Sequence, residues 1–180
     1  MSSLDKQQWR RVQALTDFQQ SLSALTFFLD IPAQTTRVER RRYRCYQTAA
    51  IISYCRPFTR SNGLPKLELD AIHNDISEEE QTLHNFLMTE RNKVVAHTDI
   101  DRMRLLLTSF EVRDGINFPH IVEDEGFALI GKEHQFEVWL RKLIQPLASE
   151  VYDFGQGHEP NVEFRQDYLH NSPQPVAKSE

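Results

Sequence analysis

Apolar residues recur at helical spacing in the first segment of the chain, from about 4 to 30. Five of them are separated by three, four, three and four positions, which places them on one stripe of an amphipathic helix. Pro32 ends this predicted helix, because proline cannot donate the hydrogen bond that a continuing helix needs. The stripe consists of Leu15, Phe18, Leu22, Leu25 and Leu29.

The second segment is predicted to be a helix that begins at Thr35 or Thr36, either of which can cap it, and ends near Cys55. Its first half carries the basic run RVERRRYR at 37–44, with five arginines against one glutamate. Positive charge near a helix N-terminus opposes the macrodipole, which indicates that these arginines have partners elsewhere. The predicted apolar face consists of Val38, Cys45, Ala49 and Ile52.

The third segment has the clearest start, because Ser77 is followed three residues later by Glu80. This spacing is the capping-box pattern, in which each residue satisfies a backbone N–H of the other. The predicted helix runs from there to about His97. Its core line consists of Leu83, Leu87 and Val94, with Phe86 beside them.

A change of pattern after Asp99 predicts a small β-hairpin near 103–122. The runs MRLLLTSFEV and NFPHIV flank Asp114-Gly115, a residue pair that favours a two-residue turn. A helix for the first of these runs stays open, since a short leucine cluster does not fix the period.

The last predicted helix begins near Lys132, and Pro146 is expected to kink it. Past Gly155 the chain is polar and has few aliphatic residues, so we predict a helical domain at 1–155 and a partly disordered or docked tail at 156–180. The apolar face of this helix consists of Phe136, Trp139 or Leu140, Leu143, Leu147 and Val151. Four long helices with a short hairpin predict an all-α, four-to-five-helix bundle.

Composition narrows the class of protein. A chain of 180 residues with 39% hydrophobic and 26% charged residues is typical of one soluble domain. No apolar run approaches the roughly 20 residues of a membrane span, and the N-terminus lacks a signal-peptide core, so a cytoplasmic location without membrane attachment is expected. Cys45 and Cys55 would lie about 15 Å apart along one helix, too far apart for a disulfide.

Charge and ligand spacing exclude some chemistries. The net charge of −5 is not that of a generally basic nucleic-acid binder, although the run at 37–44 could form a local phosphate-binding face or a solvated, salt-bridged one. Asp70, His73 and Asp75 lie close in sequence, but three such ligands in a loop are weak evidence for a metal. We predict no metal site and no cofactor.

The stretch TERNKVVAHTD at 89–99 concentrates polar chemistry at the end of the third predicted helix. On a helical wheel Arg91 and His97 stand about 120° apart, on either side of the core line. Glu90 falls on that line and requires a partner, either an arginine from 37–44 or Arg91 of a second copy. Asp99 can hydrogen-bond to His97 or to the freed carbonyls. These residues suit a catalytic cluster or an ordinary helix terminus.

The string RNKVVAH resembles the R-x4-6-H signature of the HEPN superfamily, whose members are helical bundles that include many metal-independent RNases. The longer string RNKVVAHTD resembles the R-[DN]-K-x-x-A-H-x-D form of abortive-infection and toxin-like branches. The resemblance covers about 89–99. It implies a HEPN-like bundle that dimerises through the helix carrying 77–97, so that two motifs face one cleft. A role in phage defence or in a toxin–antitoxin pair, with an antitoxin protein as partner, follows from the same resemblance.

The resemblance also implies catalytic roles. His97 would act as general base or acid on the RNA 2′-hydroxyl, Arg91 would stabilise the charged phosphorane, and Asn92 would orient the phosphate or His97. The supporting residues would be Glu90, Asp99 and His84, of which His84 would line the same cleft or be an ordinary core or surface histidine. The RNA backbone would be attracted by Arg37, Arg40, Arg41 and Arg44. The alternative is a catalytically inactive helical module for dimerisation or protein interaction.

Overall fold

The computed structural model describes residues 4–31, 36–61, 63–95, 105–113, 115–123 and 128–156. It confirms the predicted helical fold with one antiparallel hairpin. The helices are α1 Lys6–Leu29, α2 Arg37–Cys55, α3 Glu78–Val95 and α4 Glu133–Gly155, with a short 3₁₀-helix at Arg56–Phe58 directly after α2. The strands are β1 Leu105–Arg113 and β2 Ile116–Glu123.

The helix starts follow from capping residues. The hydroxyl of Thr36 accepts from the backbone N–H of Glu39, and the Glu39 carboxylate accepts from the backbone N–H of Thr36, so Thr36 and not Thr35 caps α2. The predicted capping box of α3 is present, with Ser77 and Glu80 exchanging bonds of 2.8 and 3.2 Å. Asp5 caps α1 in the same way.

Two pairs of contacts fix the direction of α1 against α2 and of α3 against α4. The ring of Phe28 lies on that of Tyr43, whereas Phe18, ten residues earlier, meets Tyr54. α1 and α2 are therefore antiparallel. The ammonium of Lys132 lies 5.3 Å from the centre of the Phe86 ring. At the other end, Lys142 binds Glu80, which makes α3 and α4 antiparallel as well.

α4 runs in the same direction as α2. Glu133, at the start of α4, hydrogen-bonds Tyr43, and together with burial it raises the pKa of that tyrosine to about 12. Trp139 then meets Tyr54, further along both helices. Consequently α3 is antiparallel to α2, and the C-terminal end of α3 points toward the N-terminal half of α2.

One face of α4 contributes a row of large side chains to the core. Five large side chains of this helix are buried, and each contributes about 1.5–3 kcal/mol relative to an exposed position. This confirms the apolar face predicted for the last helix, with Trp139 and Leu140 both buried and Val151 half-buried. The buried residues are Phe136, Trp139, Leu140, Leu143 and Leu147. Pro146 lies inside α4, and a kink at that residue stays a prediction.

The face predicted for α2 is wrong at Val38 and Cys45, whereas Ala49 packs against the core and Ile52 is half-buried. Val38 is 58% exposed and Cys45 is exposed, because the buried face of α2 lies elsewhere on the helix and includes several residues with polar ends. Gln47 is only 4% exposed, and its side-chain oxygen accepts a 3.0 Å bond from the backbone N–H of Leu129. The buried residues of α2 are Tyr43, Gln47, Ala50, Ile51, Ser53, Tyr54 and Cys55.

Of the other predicted core positions, Val94 has a side chain that lies outside the described part of the chain, and the rest are confirmed with one exception. Leu83 and Leu87 of α3 are buried, and Phe86 packs against the core at partial exposure. In α1, Phe18 and Leu25 are fully buried and Leu15 and Leu22 pack against the core, but Leu29 at the helix end is 49% exposed.

A buried arginine fastens α1 to the 3₁₀-helix. Arg10 is 1% exposed, and its Nη2 donates to the carbonyl of Thr59 at 2.7 Å and to that of Arg56 at 3.3 Å. Asp17, also buried, accepts from Nη1 of Arg56 at 3.1 Å. Burial raises the pKa of Asp17 and lowers that of Arg10, and the opposite charges of the network counteract both shifts.

The hairpin pairs Leu105 with Glu123 at its base and Phe110 with Phe118 near its tip, which excludes the helical alternative for the first run. Gly115 has a φ of +81°, a conformation that favours glycine and closes the turn. Within the residues described above, no helix combines the length and apolar character of a membrane span.

Candidate functional site

The motif RNKVVAH, at residues 91–97, begins on the last two turns of α3. Arg91 is half-buried and Asn92 is exposed, and Nη1 of Arg91 donates to Oδ1 of Asn92 at 3.2 Å. No carboxylate among the described residues forms a salt bridge with Arg91. Glu90 is half-buried and interacts with another group, as expected for a carboxylate on the core line. The guanidinium is therefore positioned by a neutral amide, which leaves its charge available to an anion.

Arg91 faces the C-terminal end of α2. The thiol of Cys55 is buried, which raises its pKa to about 12, and the positive charge of Arg91 counteracts this shift. The same thiol lies 3.5 Å from the backbone carbonyl of Leu87, one turn before Arg91. These contacts place Arg91 beside the groove between α2 and α3.

The direction of α3 carries the chain toward the basic half of α2. Leu87 lies level with Cys55, Arg91 is about 6 Å further along α3, and Arg44 is about 16 Å from Cys55 along α2. The two helices are antiparallel, so Arg91 lies about 10 Å from Arg44 along the helix axes, and the other arginines of the run lie further away. Of these arginines, Arg37, Arg40 and Arg41 are exposed and Arg44 is half-buried. Arg40 and Arg44 also have interactions within the chain.

His97 and Asp99 lie outside the described residues, as does the tail at 157–180. The angle between Arg91 and His97, the role of Asp99 and the domain boundary at 155 therefore stay predictions.

A chain of three aromatic side chains crosses the core one to two turns before Arg91. Nε1 of Trp139 donates to the hydroxyl oxygen of Tyr54 at 2.8 Å, and that oxygen lies 2.8 Å from Nδ1 of His84. The indole can only donate, so the tyrosine oxygen accepts from it. The hydroxyl proton of Tyr54 then has Nδ1 of His84 as its acceptor, because this assignment satisfies both the oxygen and the proton of the buried hydroxyl. The imidazole is thus held as the tautomer with its proton on Nε2.

His84 is kept neutral by its surroundings. Burial lowers its pKa, and the positive charge of Lys66 lowers it further. Protonation at Nδ1 would also place a second donor against the hydroxyl of Tyr54, which already accepts from Trp139. Burial raises the pKa of Tyr54 well above its usual range, so the tyrosine stays protonated. At neutral pH the chain presents an uncharged N–H donor at this point.

The imidazole of His84 lines a cleft of about 330 Å³ between α3 and the segment 64–76. Leu69 and Met88 supply apolar walls, Gln81 and Asn85 supply amides, and all of these amide and apolar groups are reachable from solvent. A volume of this size is within the range of small-molecule sites in proteins.

Sequence reasoning linked His84 with Arg91 but missed Tyr54 and Trp139. Seven residues are nearly two helical turns, so His84 and Arg91 do lie on one face of α3, about 10 Å apart along its axis. The available signal was that a buried tyrosine or tryptophan needs a partner for its polar atom. The 85 residues between Tyr54 and Trp139 hid which partner each would find.

The described residues contain no group of three or more His, Cys, Asp or Glu side chains arranged to hold a metal ion, so Asp70, His73 and Asp75 do not form one.

Comparison with protein-family models, curated proteins and solved structures finds no match.

Proposed function

We propose that this chain is a HEPN-like, metal-independent endoribonuclease whose active site is built from two copies of the motif. The observation that carries the proposal is the guanidinium of Arg91, which is half-buried, held by Asn92 and not paired with a carboxylate among the described residues. A planar guanidinium in this state matches the oxygens of a phosphate. The exposed arginines of α2 lie at the end of the bundle toward which α3 points, and they would attract the RNA backbone.

In the proposed reaction, His97 removes the proton from a ribose 2′-hydroxyl, and the resulting oxygen attacks the adjacent phosphorus. Arg91 stabilises the negative charge of the phosphorane, and Asn92 orients the phosphate. The bond to the 5′-oxygen of the next nucleotide then breaks, and a histidine returns a proton to that oxygen. A histidine suits both steps because its pKa lies near neutrality.

A second copy follows from the wheel geometry. Arg91 and His97 are expected to stand about 120° apart, so one subunit would not direct both at one phosphate. Two motifs facing each other across a dimer would bring an arginine from one copy beside a histidine from the other. A role in phage defence or as a toxin is part of this proposal and rests on the motif alone.

The proposal is tested by incubating the purified protein with total RNA in the presence of a metal chelator. The wild type is expected to cleave the RNA, and His97→Ala is expected to lose cleavage by 100-fold or more, the order of magnitude of a general acid–base contribution. His134→Ala is a matched control, because that histidine is exposed on α4 and is not part of the motif. Cleavage that persists in His97→Ala, or that requires added metal, contradicts the proposal.

The hairpin favours a second function, that of a protein-interaction module without catalysis. Phe110, Ile116 and Phe118 are 53%, 59% and 53% exposed near its tip, and the two phenylalanine rings are 6.5 Å apart. An isolated two-stranded hairpin is only marginally stable in water, so an apolar face on it favours a covering partner. This function gains support if the wild type does not cleave RNA.

A further inference from the structure

The cleft beside His84 offers a donor that is fixed before any ligand arrives. Nδ1 of His84 is occupied by the hydroxyl of Tyr54, which is itself locked by Trp139. The remaining ring proton is on Nε2, on the opposite side of the imidazole, and no hydrogen bond within the described residues uses it. A ligand atom that accepts a hydrogen bond would satisfy this donor without any change of protonation.

Two amides next to this donor complete a polar edge. Nε2 of Gln81 donates to Oδ1 of Asn85 at 3.1 Å, which leaves the oxygen of Gln81 and the amino group of Asn85 to face a ligand. Asparagine and glutamine amides match the mixed donor and acceptor edges of nucleobases. The apolar side chains of Leu69 and Met88 line the same cleft and can cover a flat ring.

The charges of the cleft oppose an anion. Lys66 is the cationic side chain of its lining, and its ammonium is paired with Glu68 at 3.3 Å. Asp70 adds a second carboxylate, and His84 is neutral. The described residues of the lining thus carry one positive and two negative charges, which favours an uncharged group over a phosphate.

The cleft and the motif lie on the same face of α3. Its residues on α3 are Gln81, His84, Asn85 and Met88, at spacings of three and four, and the same stripe continues to Arg91 and Asn92. A strand whose phosphate met Arg91 could therefore lay a neighbouring base into the cleft about 10 Å away along the helix.

We propose that this cleft is a nucleobase subsite, which takes one unpaired base of an RNA strand while the sugar-phosphate backbone stays outside at Arg91 and Asn92. The identification of the ligand as part of an RNA rests on the proposed function. The subsite itself binds without any cleavage, so it is measurable on its own.

The test is calorimetric titration of the full chain with the four ribonucleosides and with their 5′-monophosphates. The wild type is expected to bind at least one nucleoside, and to bind its 5′-monophosphate more weakly because of Glu68 and Asp70. His84→Asn keeps an acceptor for the Tyr54 hydroxyl but lacks the Nε2 donor, so about 3- to 10-fold weaker binding is expected. His134→Asn makes the same change at an exposed site and should bind as the wild type does.

A third measurement tests whether the cleft takes a base within an RNA strand as well as a free nucleoside. A 2′-O-methylated trinucleotide, which cannot be cleaved by its own 2′-oxygen, should compete with the nucleoside and bind more tightly than it, and Arg91→Ala should remove that advantage. The subsite is overturned if no nucleoside binds, if His84→Asn binds equally well, if the monophosphate binds more tightly than the nucleoside, or if the trinucleotide does not compete. If the protein binds a nucleoside but cleaves no RNA, only the proposed ribonuclease function is refuted. If it cleaves RNA but binds no nucleoside, only the proposed nucleobase subsite is refuted.

Discussion

Replacing Tyr54 by phenylalanine removes a single oxygen that satisfies two other side chains. The oxygen accepts from the indole of Trp139 at 2.8 Å and donates to His84 at 2.8 Å, and Trp139 is 1% exposed. In the variant the indole N–H is left buried without a partner, at about 1–3 kcal/mol. The loss at half-buried His84 is smaller, since water can reach the cleft. The expected decrease in the free energy of unfolding is about 2–4 kcal/mol.

The assay is urea unfolding at pH 7.5 followed by far-UV circular dichroism, with thermal melts in parallel. For a chain of this length, 1 kcal/mol corresponds to about 2–4 °C, so Tyr54→Phe should melt roughly 4–16 °C lower. Tyr46→Phe is the matched control, because Tyr46 is a half-buried tyrosine of the same helix that packs on Phe27. It should stay within about 0.5 kcal/mol of the wild type.

A double-mutant cycle isolates the hydrogen bond from the packing. Trp139→Phe removes the stranded donor, so adding Tyr54→Phe to it should destabilise by at least about 1 kcal/mol less than in the wild type. The proposed hydrogen-bonded chain of Trp139, Tyr54 and His84 is refuted if Tyr54→Phe lowers the free energy of unfolding no more than Tyr46→Phe does. It is also refuted if the effects of Tyr54→Phe and Trp139→Phe are additive.

Three further predictions concern buried or paired charges. Arg10→Met should lower the free energy of unfolding by about 2–4 kcal/mol in urea titrations, because two carbonyls lose their donor and the buried carboxylate of Asp17 loses a nearby positive charge. Arg11→Met, at a half-exposed ion pair, should cost under about 1 kcal/mol, and equal losses would contradict this. The pKa of His84 is lowered in the folded chain by burial and a nearby lysine, so protonation favours unfolding. Stability from this residue is full above about pH 6.5 and falls as the pH drops toward the folded-state pKa. The difference in free energy of unfolding between wild type and His84→Asn should therefore shrink as the pH is lowered from 7.5 to 5. A difference that does not change with pH would contradict a lowered pKa of His84 in the folded chain. Lys142→Met removes bonds of 2.8 and 3.0 Å to Glu80, and the expected loss of about 1 kcal/mol should be smaller in 1 M salt.

The helices were predictable because their signals are local. A capping serine with a glutamate three residues later, or an apolar stripe at spacings of three and four, acts within one or two turns of chain. The start of α3 at Ser77 and the buried face of α4 were found in this way.

The face of α2 was not predictable from apolarity, because burial there depends on partners that are distant in sequence. Gln47 is buried since its oxygen meets the backbone of Leu129, 82 residues away. Tyr54 is buried since Trp139 and His84 satisfy its hydroxyl. By the same logic, the motif at 91–97 is visible in the sequence because its residues are adjacent. The hydrogen-bonded chain of Trp139, Tyr54 and His84 beside the cleft is visible only in the folded structure, because its residues are distant in sequence.

The central claim is that a ribonuclease site is completed by a second copy of the chain. It is tested most directly by mixing Arg91→Ala with His97→Ala under conditions that exchange subunits, with native mass spectrometry to confirm mixed dimers. Each variant alone is expected to be inactive, and the mixture should regain a substantial part of wild-type cleavage, because one mixed dimer contains an intact Arg91 opposite an intact His97. Mixed dimers that stay inactive while the wild type cleaves, or single variants that cleave as the wild type does, would contradict the two-copy site.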